Sequence, residues 1–185
     1  MLIEKINRII SLAIFLLLIG GATTASGKDN QNNIHPGTSF FGHAFHTLTV
    51  LHDSVPEPSY LDMGAVGNSV GDVRIWHFPG RTENGESVVM EYIMTTTRID
   101  DSAGIESRVT LGVFSFTEDY IDQVLIQGVG LYPSTESTFK PNSSLTRAII
   151  GGTGKFRGAR GEVISTHLVD GTWQHVFRFS FSQNF

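Results

Sequence analysis

Cysteine is absent from the 185-residue chain. That excludes disulfides, cysteine-liganded zinc and a lipid-modified N-terminal cysteine, so the fold must rest on its apolar core. Positive charge is also scarce. Thirteen Lys and Arg stand against 18 Asp and Glu, for a net charge of −5. Neither a basic run nor a basic-aromatic stripe occurs, which argues against a nucleic-acid partner. After the first 25 residues no helical periodicity is found. The longest apolar run, residues 9–19, is shorter than the about 20 residues a membrane-spanning helix needs.

Several catalytic and binding signatures are missing too. A phosphate loop needs G-x-x-x-x-G-K-S/T, but Gly154-Lys155 is followed by Phe156, and Ile149 stands where the first glycine belongs. A dinucleotide fingerprint from Gly152 fails because Arg157 holds the third glycine position. There is no G-x-S-x-G nucleophile elbow and no H-E-x-x-H pair. Seven histidines are present. His43 and His46 face opposite sides of an extended chain, and His46 and His52 share a face at about 20 Å separation, so spacing alone predicts no metal site.

What is present begins with an export pattern. Lys5 and Arg8 precede the apolar run, Gly20-Gly21 ends it, and Thr23-Thr24-Ala25 offers a cleavage site. Residues 1–25 are expected to be a signal peptide and the mature protein to be extracellular, with an uncleaved anchor as the alternative. Residues 26–38 are polar and read as a flexible lead-in. Residues 39–185 fit one domain.

That domain reads as eight strands at 40–52, 71–78, 87–99, 106–116, 122–131, 146–151, 161–169 and 173–182. Turn chemistry separates them, including Pro79-Gly80, Asn84-Gly85 and Asp170-Gly171. Strands so spaced, with no helices between them, predict an antiparallel barrel or sandwich. In the last strand His175, Phe177, Phe179 and Phe181 share one face, and Val176, Arg178 and Ser180 the other. Phe177 and Phe179 are therefore candidates to fill the core or line a pocket. The segment 109–116 is apolar on both faces, which predicts contact with another subunit. Asn142-Ser143-Ser144 is an N-glycosylation sequon in a polar loop.

Three segments carry a resemblance. Phe45-His-Thr-Leu-Thr-Val-Leu-His-Asp53 resembles the first strand of dirigent proteins, which ends in His-Asp. Gly67-Asn-Ser-Val-Gly-Asp72 resembles a segment of plant allene oxide cyclases. Residues 148–161 hold five glycines, Gly151, Gly152, Gly154, Gly158 and Gly161, and are similar to the Gly-Gly-Thr-Gly-x-Phe-x-x-Ala-Arg-Gly segment of dirigents. The resemblance implies an all-β, eight-stranded antiparallel, calycin-like barrel, usually trimeric, with an apolar cavity and no cofactor. It implies either the steering of phenoxy radicals made by a separate one-electron oxidase or the cyclisation of an unstable epoxide. A non-catalytic binding or defence role on the same barrel is the third alternative. By position, Asp53 matches the dirigent carboxylate that accepts a phenolic proton and Arg160 the arginine of Ala-Arg-Gly. Asn68 matches the cyclase asparagine that places a polar oxygen or a water. Lys155 stands where many dirigents have Asp, and the cyclase's first-strand Glu and Asn have no counterpart here.

Overall fold

The computed structural model describes residues 45–181. The expected signal peptide, the lead-in, the start of the first predicted strand, His43 and Ser182 lie outside the described residues. The strands are β1 (His46–His52), β2 (Ser59–Leu61), β3 (Val73–Thr82), β4 (Ser87–Asp100), β5 (Ile105–Ser115), β6 (Gln123–Pro133), β7 (Ser143–Gly152), β8 (Ala159–His167) and β9 (Trp173–Phe181). All pairings are antiparallel, and the sheet order is β1-β9-β8-β7-β6-β5-β4-β3-β2. A β1–β3 pairing, Val50 opposite Thr82 and Leu51 opposite Arg81, closes eight strands into a barrel. The three-residue β2 pairs with the other half of the same β3 edge, Ser59 opposite Ile75 and Leu61 opposite Val73. Closure removes the exposed edges that an open sheet would present.

Seven of the eight predicted strands begin within three residues of the observed ones. The short β2 has no signal in the sequence, because three extended residues leave no period to read.

Strand alternation decides what faces inward. From β1 and β9, Val50, His52, Trp173, His175, Phe177 and Phe179 are buried, while Arg178 between the last two is exposed. From β4 come Val88, Met90, Tyr92, Met94 and Thr96, and from β5 Glu106, Arg108, Thr110 and Phe114. Burying one Phe or Met side chain stabilises by about 1.5–3 kcal/mol, so these rows supply the apolar core that replaces disulfides.

The two ends of the barrel differ. At one end the glycine-rich segment forms a turn and a short 3-10 helix, Gly154–Phe156. A Cβ at Gly152 would lie 2.5 Å from the Phe156 carbonyl oxygen and 2.7 Å from that of Gln123, so only glycine fits this close approach. Gly154 sits at φ +53°, where glycine is favoured, and the Lys155 N–H donates to Asp122 Oδ1 at 2.9 Å. The turn thereby carries the buried Phe156 against Phe116 and Phe179, with ring centroids 4.8 and 6.1 Å away. This is an aromatic floor. At the opposite end lie the connections 53–58, 62–72, 134–142 and 168–172.

Candidate functional site

Above the floor and beneath those connections the barrel interior is hollow. The walls are His52, Trp76, Phe78, Tyr92, Met94, Tyr132, Arg147, Ser165, Trp173 and His175, and Val55, Thr138 and Phe139 reach over from the connections. Between these walls about 40 Å³ admits the centre of a water molecule. Both tryptophans of the chain are in the wall.

Large residues fit because small ones stand beside them. A Cβ at Gly112 would lie 2.9 Å from Tyr92 Cε1, one at Gly128 would lie 3.1 Å from Arg147 Cγ, and one at Gly130 would lie 2.8 Å from Tyr132 Cε2. Three interior glycines on β5 and β6 thus leave the room that Tyr92, Arg147 and Tyr132 occupy.

The polar groups within form a directional chain. His52 Nδ1 lies 3.1 Å from the Ser54 carbonyl oxygen, which can only accept, so His52 carries its proton on Nδ1. Its Nε2 is then an acceptor and faces His175 Nε2 at 3.1 Å, so His175 donates from Nε2. His175 Nδ1 in turn accepts from the Ser165 hydroxyl at 2.8 Å. One backbone carbonyl therefore fixes both tautomers and the direction of the Ser165 O–H. Burial pushes His52 down to about 4 and His175 well below its ordinary 6.5, with His52 and Arg147 adding to the second shift. Both rings are neutral at physiological pH. Aromatic contacts hold them: His52 stacks on Trp173 at 5.7 Å, and His175 meets the edge of Phe114 at 5.2 Å.

Among the described residues, three buried side-chain polar atoms have no hydrogen-bond partner: the Tyr92 hydroxyl, Thr110 Oγ1 and Arg147 Nε. The other side of the Arg147 guanidinium donates from Nη2 to the Tyr132 hydroxyl at 2.6 Å. Burial drives the Tyr92 hydroxyl well above its ordinary range, so it stays protonated.

A second polar cluster ties the 134–142 connection to the barrel. Glu106, fully buried, pairs with Arg74 Nη2 at 3.2 Å and accepts from Arg108 Nε at 3.0 Å and from the Thr96 hydroxyl at 2.8 Å. Arg108 Nη2 also donates to the Glu136 carbonyl at 2.6 Å, and its guanidinium lies 4.3 Å from the Tyr132 ring centroid. This connection carries Thr138 and Phe139 over the cavity.

The residues singled out by resemblance do not come together. Asp53 is exposed and ion-paired with Arg81 Nη2 at 2.9 Å, because alternation turns it outward where its neighbour His52 turns inward. Asn68 lies on the 62–72 connection, where its Nδ2 donates to the Ser134 carbonyl and Arg74 Nη2 reaches its Oδ1 at 3.5 Å. Arg160 is on the outer face of β8 near the floor, its Nη1 donating to the Ala159 carbonyl at 2.7 Å. None of the three lines the cavity. Phe177 is fully buried beneath it, meeting the edge of Phe114 at 4.8 Å, and Phe179 belongs to the floor; neither is in the cavity wall. Asn142 is exposed just before β7 at φ +61°, a conformation asparagine tolerates.

The sequence matches no protein-family model and no curated protein. Solved structures do match. Two pterocarpan synthase dirigent proteins superpose with TM-scores of 0.51, at 21% and 20% identity, covering 82% and 75% of this chain and 98% and 97% of theirs. A pyocyanin demethylase superposes with a TM-score of 0.50 at 17% identity, covering 73% of this chain and 99% of its own. The fold is the dirigent-type β-barrel. Within that barrel, the polar interior of this chain is built from His52, Tyr92, Arg147, Ser165 and His175, none of which belongs to the three segments' proposed site residues. Alternation could have exposed two of them, since His175 shares the Phe177 face and His52 the Val50 face.

Proposed function

We propose that this protein is exported and binds a small aromatic or similarly apolar molecule inside its barrel, where it directs that molecule's reaction by shape. One observation carries the reading: an aromatic-walled interior, closed at one end, contains hydrogen-bonding groups whose directions are fixed before any ligand arrives. Fixed donors in a dry site orient a bound molecule without reorganising at the moment of reaction. The mouth residues Val55, Thr138 and Phe139 stand on connections rather than strands, so they are the part of the wall that yields as an aromatic ring enters. The reaction in view is dirigent-like coupling of phenoxy radicals that a separate one-electron oxidase produces. A homotrimer would cover the outward apolar side chains of β3 to β6, and Asn142 would carry a glycan in a eukaryotic secretory route.

The test is oxidation of coniferyl alcohol by a laccase with and without the protein, read by chiral chromatography. The protein alone should leave the alcohol unchanged and, with the oxidase, should favour one enantiomer. A preference of about 1.4 kcal/mol between competing transition states gives a tenfold ratio. Racemic product across a panel of phenols would contradict the reading.

The Ser165–His175–His52 chain favours a second reading. A hydroxyl hydrogen-bonded to a neutral imidazole is an acid–base pair, which suits a cofactor-free cyclase or isomerase. Ring closure of a fatty-acid epoxide by the protein would support it. Binding without any effect on product would leave a non-catalytic binding protein.

A further inference from the structure

The buried charges inside the barrel do not balance. Among the described residues, the buried acidic and basic side chains besides the two histidines are Asp72, Arg74, Glu106, Arg108 and Arg147. Glu106 pairs with both Arg74 and Arg108. Asp72 accepts from the Met63 and Ser69 N–H groups at 2.9 and 2.8 Å and from the Tyr60 hydroxyl, and it also acts electrostatically on Arg74. Two carboxylates therefore answer two guanidiniums. Arg147 is left over: it is buried, no carboxylate among the described residues pairs with it, and its Nη2 donates to the Tyr132 hydroxyl. Arginine is always charged in proteins, and a buried charge calls for a counter-charge.

The unpartnered atoms point the same way. Arg147 Nε–H can only donate, and the Tyr92 hydroxyl, kept protonated by burial, has its proton free. Both residues line the cavity, and the charge of Arg147 acts on Tyr92. The neighbouring imidazoles are neutral and supply no negative charge.

We propose that the barrel interior takes a ligand bearing one negatively charged oxygen group, a carboxylate or a phenolate, on an aromatic or similarly apolar body, and that Arg147 and Tyr92 bind that group. The aromatic walls take the body and Arg147 takes the charge. The inference rests on the reading of the cavity as the ligand site and adds the ligand's charge to it.

Calorimetric titration of the purified protein with matched pairs tests this. Benzoate against benzamide at pH 7 compares a carboxylate with a neutral molecule of nearly the same shape. 4-Nitrophenolate against nitrobenzene at pH 8.5 does the same for a phenolate. The proposal expects the anion of at least one pair to bind at least tenfold more tightly than its neutral partner, and the pair that shows it identifies the group. Arg147→Met should abolish the preference, while Arg147→Lys should retain part of it. Should Arg147→Met fail to fold, Tyr92→Phe decides, since it removes one hydroxyl and should weaken the anion several-fold. Neutral members binding as tightly as the anions would overturn the charge assignment alone, as would an unchanged preference in Arg147→Met or in Tyr92→Phe. If no member of either pair binds, the cavity reading falls as well.

Discussion

His52 and His175, 123 residues apart in the chain, face each other Nε2 to Nε2 at 3.1 Å inside the barrel. They meet only because β1 and β9 pair, which places Trp173 opposite His52 and His175 opposite Val50. Their neutrality has a consequence for stability.

Both imidazoles are held below their unfolded value, which is near 6.5, and His52 lies at about 4. Above pH 6.5 neither the folded nor the unfolded chain protonates them, so they do not affect the balance. As pH falls below 6.5 the unfolded chain takes up protons that the native state refuses, and stability is lost. The loss from His52 stops near pH 4, where the native ring also protonates. Each ring contributes a slope of up to about 1.4 kcal/mol per pH unit. Urea midpoints from pH 7 to pH 4.5 should fall accordingly, and the double variant His52→Gln, His175→Gln should show a shallower fall. Equal slopes in the two proteins would contradict the neutral pair.

Glu106 pairs with two buried guanidiniums, Arg74 and Arg108. Glu106→Gln removes the carboxylate that both guanidiniums share and leaves Arg108 without a carboxylate partner among the described residues. The expected loss is about 3–5 kcal/mol, read from urea unfolding. Because Arg108 also anchors the 134–142 connection through the Glu136 carbonyl, limited proteolysis should find that connection more readily cut in the variant.

Gly112 gives Tyr92 its room. A methyl group there would sit 2.9 Å from Tyr92 Cε1 and 2.8 Å from Ile126 Cγ1. Gly112→Ala should cost about 1–3 kcal/mol through overpacking and, by displacing Tyr92, should lower ligand affinity in the titrations above. An unchanged melting temperature would show that the ring moves freely and that the cavity is less tightly specified.

The outer face of the barrel bears on assembly. Ile75 lies opposite Ile93, and Ile93 opposite Leu111, in one row across β3, β4 and β5, and all three are exposed. Exposed Val129 and Leu131 lie alongside on β6. Contiguous apolar surface of this kind marks an interaction site. Sedimentation equilibrium should find a homo-oligomer, with three subunits expected, and Ile93→Glu with Val129→Glu should shift it to monomer.

The barrel was largely legible in the sequence. The alternation of His175, Phe177, Phe179 and Phe181 announces the inner face of β9, and turn residues mark most strand boundaries. β5 was harder. The segment 109–116 reads as apolar on both faces, and the structure turns Leu111 to solvent while Glu106, Arg108, Thr110 and Phe114 are inside. A hydropathy period cannot assign an interior that buries ion pairs. The candidate site was less legible for a related reason. The resemblance singles out the His52-Asp53 pair for its carboxylate, but a one-residue step reverses the face, so His52 is the member inside. Arg147 and Ser165 carry no local signature at all, since only the β7–β8 and β8–β9 pairings bring them to the same cavity. The glycine-rich segment, the most conspicuous feature of the chain, closes the floor and contributes no wall to the cavity.

A crystal structure of the protein grown with coniferyl alcohol, without oxidase, tests the central claim most directly. The account predicts density for the ring inside the barrel, between Trp173, Tyr92 and His175, with Phe139 and Thr138 displaced and a ligand oxygen within hydrogen-bonding distance of the Tyr92 hydroxyl or Arg147 Nε. An interior holding only water, with the alcohol bound on the outer surface or nowhere, would contradict it.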